Sequence, residues 1–136
     1  MIKKIAVFAF VISIIVFLLS VYIFQLINKP LEVKNLYASV NITEKIGFDL
    51  NSSSLVFGEL TKGGSSRRSI IFNNNYNQKI VLKISSHGKI EKLISFEERI
   101  LFLPGESKKI SFVIFTNQDT PFGFYDGEIV LEVYPG

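Results

Sequence analysis

The sequence predicts an all-β fold, an antiparallel two-sheet sandwich of seven to nine strands, preceded by one transmembrane α-helix. Three observations carry this expectation. Residues 5–27 read IAVFAFVISIIVFLLSVYIFQLI, 23 residues without Asp, Glu, Lys, Arg, Pro or Gly. Beyond residue 36 no stretch sustains helical periodicity, whereas apolar and polar residues alternate with period two in run after run. Clusters of Gly, Asn, Ser and Pro separate those runs at the spacing of short strands.

The apolar run comes first. At about 1.5 Å of rise per residue, a helix over 5–27 is roughly 35 Å long, enough for a hydrocarbon core of about 30 Å with some tilt. Lipid offers no partner to backbone N–H and C=O groups, and an α-helix pairs them all within the segment. The lipid bilayer is therefore the expected partner of residues 5–27. A cleaved signal peptide is the competing reading, and Lys3 and Lys4 ahead of the run suit it. A signal core, however, is about 7–15 residues long, and the exit Tyr22-Ile23-Phe24-Gln25-Leu26-Ile27 offers no small-x-small cleavage pair. The expectation is an uncleaved signal anchor. The two flanks nearly tie in Lys and Arg, with Lys3, Lys4 and the terminal amine facing Lys29 and Lys34, and the compact N-side cluster favours an inside N-terminus. Residues 1–4 then form a cytoplasmic tip and residues 37–136 an extracytoplasmic domain. Pro30 ends the helix at Asn28-Lys29, because it disfavours a helical Lys29 and cannot donate to the ladder. Residues 28–36 read as a linker.

The strands follow in order. Ile70 and Phe72 alternate with Ser69, Ile71 and Asn73; Ile80, Leu82 and Ile84 with Lys79, Val81 and Lys83. Ile110, Phe112 and Ile114 alternate with Ser111, Val113 and Phe115; Ile129, Leu131 and Val133 with Glu128, Val130 and Glu132. Each set gives one apolar and one mixed face, as a half-buried strand requires. Phe72, Leu82, Phe112 and Leu131 are expected inside; Lys83, Glu128 and Glu132 outside. Weaker strands are expected at 38–43, 46–50, 55–60, 92–96 and 99–103. Turns are expected at 62–65, 73–75, 87–88, 104–105 and 120–123.

Leu55-Val56-Phe57-Gly58-Glu59-Leu60, the glycines at 63 and 64, and Ser69-Ile70-Ile71-Phe72-Asn73 together resemble the opening of PapD-like and Hydin-type immunoglobulin-like modules. Leu103-Pro104-Gly105-Glu106 resembles the turn that precedes their sixth strand. Thr120-Pro121-Phe122-Gly123-Phe124-Tyr125-Asp126-Gly127 resembles the bend before the last strand of many prokaryotic surface Ig-like domains. The resemblance covers about residues 54–134 and implies an Ig-like β-sandwich of the kind that binds or spaces other proteins.

Composition narrows the function classes. The chain has net charge +3 at pH 7, yet residues 35–136 hold eight Lys and three Arg against eleven acids and are neutral. The excess lies in Lys3, Lys4, Lys29 and Lys34 against Glu32, beside the apolar run. The basic balance thus gives no ground for a nucleic-acid partner, which requires a basic face on the domain itself. With no Cys, thiol chemistry and Cys-based metal sites are excluded, and the domain must hold by packing alone. His87 is the single histidine, placed in a Ser85-Ser86-His87-Gly88 turn that cannot orient a nucleophile and a separate base. Glu97 and Glu98, adjacent on a strand, point to opposite faces; Glu128 and Glu132 share a face but lie about 13 Å apart. No catalytic, cofactor or metal residues are expected, and the chain reads as non-enzymatic.

Two features remain. The sequons Asn41-Ile42-Thr43 and Asn51-Ser52-Ser53 make Asn41 and Asn51 candidate glycosylation sites if the domain is outside. In an Ig-like order the strands at 80–84, 110–115 and 129–134 would be neighbours, so their outward Val81, Val113, Phe115, Val130 and Tyr134 would merge into one apolar partner-binding face. The sequence thus reads as a single-pass membrane protein whose extracytoplasmic Ig-like module binds or supports another envelope or surface protein. The alternative is a component of a surface filament or its membrane or envelope anchor, pilus- or archaellum-associated. A processed pilin is disfavoured, since Lys3-Lys4-Ile5 lacks the usual Gly and no Glu occurs before Glu32.

Overall fold

A computed structural model of the protein describes residues 1–44 and 54–136. Helix α1 spans Ile2–Ile27, about 39 Å at the standard rise. It is long and apolar enough to cross a membrane, with a mean hydropathy of 2.9, and its side chains from Lys3 onward are exposed. Asn28 closes it: its backbone N–H and its side-chain amide both donate to the Phe24 carbonyl. The chain is extended again by Glu32.

Eight strands follow among the described residues: β1 Glu32–Ile42, β2 Leu55–Leu60, β3 Ser65–Asn73, β4 Ile80–Gly88, β5 Ile94–Ser95, β6 Arg99–Phe102, β7 Ser107–Phe115 and β8 Gly123–Pro135. A 3₁₀ turn at Lys89–Lys92 joins β4 to β5. One sheet has the order β2-β1-β8-β4-β6, the other β3-β7-β5. The alternating residues of both sheets close a single core. Its largest enclosed members are Phe57, Phe102 and Phe112, and Phe72 stands against Phe102 with ring centroids 5.3 Å apart.

The predicted faces hold. Phe72, Leu82, Phe112 and Leu131 are buried, Glu128 is exposed, and Lys83 and Glu132 face outward and half-exposed, 3.6 Å apart in an ion pair. Period-two alternation decides this because successive side chains on a strand point to opposite faces.

Four features differ from expectation. The five-stranded sheet is mixed, because β1 runs antiparallel to β8 but parallel to β2. An antiparallel-only sandwich is therefore corrected. β1 begins at Glu32, so residues 32–36, expected in the linker, belong to the sheet; Leu36 packs on the core and Ala38, Val40 and Ile42 are buried. His87 and Gly88 continue β4 instead of turning. Gly88 pairs with Gly127 of β8, and a Cβ on Gly127 would run into the His87 carbonyl and Ile90, so two facing glycines let the strands close over Ile90. Glu97 and Glu98 lie in the β5–β6 connection, off any strand. The expected strand at 46–50 falls outside the described residues.

The Phe57-Gly58 pair has a clear local role. The β1–β2 register slips between Ser39 and Asn41, two β2 residues standing opposite one of β1, and Gly58 there takes φ +75°. This bulge resets the alternation, so Leu55 and Phe57 before it and Leu60 after it all point inward.

Candidate functional site

The five residues expected to form one apolar face do not meet. Val81, Val130 and Tyr134 lie on the outer face of the five-stranded sheet, Val81 directly opposite Tyr134 and Val130 opposite Ser85. Val113 and Phe115 lie on the outer face of the other sheet, because β7 pairs with β3 and β5 while β8 pairs with β1 and β4. The two groups stand back to back across the core. Alternation says which side of a strand faces out; it does not say which strand lies alongside. Phe115 is exposed at the tip of β7, and the other four are half-buried among their neighbours.

Asn41 is half-buried next to the last residue of β1, between Glu59 of β2 and Phe124 of β8, with ladders on both sides. It points outward, opposite in sense to buried Val40 and Ile42. Asn51 lies outside the described residues. His87 is exposed on β4 opposite Glu128. Among the described residues no three His, Cys, Asp or Glu side chains come together as metal ligands.

The end of the sandwich nearest α1 carries a connected set of polar groups. β1 and β4 start there, β3, β6 and β8 end there, and the Leu31 N–H donates to the Val133 carbonyl at 2.6 Å. Asn74, 1% exposed, ties its loops together. Its amide nitrogen donates to the carbonyls of Gln78 at 2.9 Å and Leu103 at 2.8 Å, and its oxygen accepts the Tyr76 N–H at 3.0 Å. Its backbone bonds Glu106 and Gly105 across the Pro104-Gly105 turn. Sequence reasoning found the Asn73–Asn75 turn but missed this lynchpin; the only signal was an Asn run at a strand end, a place where side chains commonly substitute for backbone partners.

Tyr76 reaches from the same loop to β1, its hydroxyl donating to Glu32 Oε2 at 3.1 Å, while Lys34 Nζ sits 3.2 Å from Oε1. The Lys34 ammonium first, then the Tyr76 hydroxyl, hold the Glu32 carboxyl below the usual carboxylate range, and that carboxylate holds the Tyr76 hydroxyl above the usual phenol range. On the outer sheet face at this end lies an open cleft of about 410 Å³, lined by Asn28, just past α1, and by Val81, Lys83, Arg99, Tyr134 and Pro135.

At the opposite end, Lys62 Nζ lies 4.3 Å from the ring centre of Phe122, and the Thr116 hydroxyl bridges the β2–β3 turn by donating within reach of the Thr61 and Gly64 carbonyls. Tyr125, near the start of β8, donates its hydroxyl back to the Pro121 carbonyl at 2.9 Å, closing the bend that leads into that strand.

Comparison with protein families, curated proteins and solved structures finds no match to this chain. The likeness to PapD-like and Hydin-type modules rests on the motif residues alone.

Proposed function

We propose that this protein is a single-pass membrane protein whose extracytoplasmic Ig-like module serves as a non-enzymatic binding or structural element at the cell surface. The observation that carries the reading is the bare apolar helix: α1 exposes its side chains from Lys3 to Ile27 and buries none of them against the domain. A soluble protein seldom leaves so large an apolar surface uncovered, whereas lipid covers it without cost.

The Ig-like assignment draws support from two features. In an immunoglobulin sandwich strands B and E share one sheet and C and F the other. Here β3 pairs with β7 and β4 with β8, which fits that central quartet. The Tyr125 hydroxyl bonded to a carbonyl four residues upstream, near the start of the F-equivalent strand, fits the tyrosine corner of such domains. The departure is β1, which comes from the N-terminal side yet occupies the place beside F where the last strand belongs. The filament-anchor reading uses the same helix and domain and differs only in what surrounds them.

The test is extraction and topology of the full chain. The protein should stay with membranes through alkaline carbonate, keep an intact mass that includes residues 1–27, and expose its domain to protease added from outside. Release by carbonate, or a mature mass lacking the first 20–30 residues, refutes the anchor. For binding, Tyr134→Ser and Phe115→Ser alter opposite faces and should be assayed separately; a partner held by one face is lost with one variant only. Capture unchanged by either leaves a passive spacer.

A further inference from the structure

We propose that the α1-side end of the sandwich is a docking surface for the anionic headgroup layer of the leaflet from which α1 emerges, with the cleft beside Asn28 receiving a lipid phosphate. The proposal rests on the reading of α1 as a membrane helix and specifies what the domain does beside it.

The tether compels proximity. Residues 28–30 alone separate the helix from Leu31, whose N–H is already bonded to β8. Three residues span about 10 Å at most, so this end of the domain cannot leave the headgroup region.

The charge of the neutral domain is polarised toward that end. At and below the level of the Lys83–Arg99 pair stand Lys79, Lys83, Arg99, Lys108 and Lys109, five cations against the three carboxylates Glu32, Glu106 and Glu132. The remaining described residues from 35 onward carry five cations against eight carboxylates. All three carboxylates of the basic end are already used: Glu32 pairs with Lys34 at 3.2 Å, Glu132 with Lys83 at 3.6 Å and Glu106 with Lys108 at 3.5 Å. Lys29, Lys79, Arg99 and Lys109 have no carboxylate partner among the described residues. This excess lies within a Debye length of the anionic surface, where the attraction is largest.

Geometry agrees with charge. The cleft is bounded on one side by Asn28, at the end of the apolar helix, and on the other by Lys83 and Arg99, so the two cations stand at headgroup depth. The Arg99 guanidinium suits a phosphate because its planar fork donates two parallel hydrogen bonds. Tyr134 on the same wall has the apolar ring and polar tip favoured at a membrane interface. Leu31, Leu101 and Leu103, each about half exposed, belong to the same end and offer apolar contact below the headgroups.

The chain contains no Trp, so a single introduced one is a clean depth probe. The full chain carrying Leu103→Trp is reconstituted in nanodiscs of phosphatidylcholine, with and without phosphatidylglycerol, and quenching by bromine-labelled lipid is read. The proposal expects a blue shift and strong quenching with phosphatidylglycerol, weaker in phosphatidylcholine alone, and loss of the difference in Lys79→Glu/Arg99→Glu/Lys109→Glu. Phe17→Trp in α1, measured in the same discs, tests the underlying reading separately: if it is not quenched, the membrane helix itself is refuted. If Phe17→Trp is quenched but Leu103→Trp stays water-exposed in both lipids, docking is overturned. Equal quenching in both lipids, unaffected by the triple charge reversal, equally overturns it, since tethering alone then explains the approach. Unchanged far-UV circular dichroism of the triple variant keeps misfolding from mimicking loss.

Discussion

Replacing Asn74 tests the account of what holds the α1-side end together. Asn74→Ala removes three side-chain hydrogen bonds, to the carbonyls of Gln78 and Leu103 and from the Tyr76 N–H. Each contributes about 0.5–1.5 kcal/mol net, and a buried group left without a partner costs about 1–3 kcal/mol. The Leu103 carbonyl keeps the Glu106 N–H, so only the Gln78 carbonyl and the Tyr76 N–H are orphaned. The expected loss is about 3 kcal/mol, a large part of the stability of a domain this size. Asn74→Asp is the sharper variant. It keeps the acceptor for Tyr76 but sets a carboxylate oxygen against two carbonyls in a site 1% exposed. Burial and those dipoles raise its folded pKa above the unfolded value of about 3.9. A group so raised is least costly below the unfolded pKa, and stability falls as pH rises through the folded value. Asn74→Asp should therefore lie below Asn74→Ala at pH 7 and recover toward it near pH 4. Urea denaturation of a fragment beginning at Asn28, followed by circular dichroism, measures both. A loss under about 1 kcal/mol for Asn74→Ala, or an Asn74→Asp stability that ignores pH, would refute the reasoning.

Further outcomes follow from the packing and from the Glu32–Tyr76 contact. Phe112→Ala should cost about 3–5 kcal/mol, since its ring is fully buried and meets Phe96 with centroids 5.7 Å apart; a change under about 1 kcal/mol in the same denaturation would mean the ring is not in a packed core. A fragment beginning at Thr43 should be unfolded by circular dichroism, because it lacks the buried Ala38, Val40 and Ile42 and leaves β8 without β1, whereas one beginning at Asn28 should fold; a folded Thr43 fragment would show β1 to be dispensable. Glu32, with its lowered pKa, stabilises above its unfolded value, and that contribution is lost as pH falls through the folded value, so wild type and Glu32→Gln should converge in acid. Tyr76→Phe should flatten part of the same acid limb; its unaltered shape would deny the hydroxyl a role.

What could be read in advance follows the range of the forces. The inward faces of β3, β4, β7 and β8 are local consequences of two-residue alternation, visible in Ile70–Phe72, Ile80–Ile84, Ile110–Ile114 and Ile129–Val133. The start of β1 was not visible. Glu32 and Lys34 occupy inward positions at the mouth of the sandwich, where charged tips still reach water, so Glu32–Asn35 carries no apolar alternation. The end of β4 was hidden for another reason: His87-Gly88 has turn composition, yet Gly88 stays in the ladder because it faces Gly127 of β8, a glycine some forty positions away.

By itself the sequence determined the apolar helix, the β-rich domain, much of its core and its lack of a thiol, because hydropathy and residue chemistry are carried by each side chain wherever it lies. Only the tertiary structure decided which strands are neighbours. It sent Val113 and Phe115 to the opposite face from Val81, Val130 and Tyr134, and placed β1 between β2 and β8. It also gathered Lys79, Arg99 and Lys109, spread over thirty residues of a neutral domain, at the end tethered to the helix. Pairing and charge asymmetry are properties of distance in space, and the alternation that sets a strand's face is the same for every neighbour it could have.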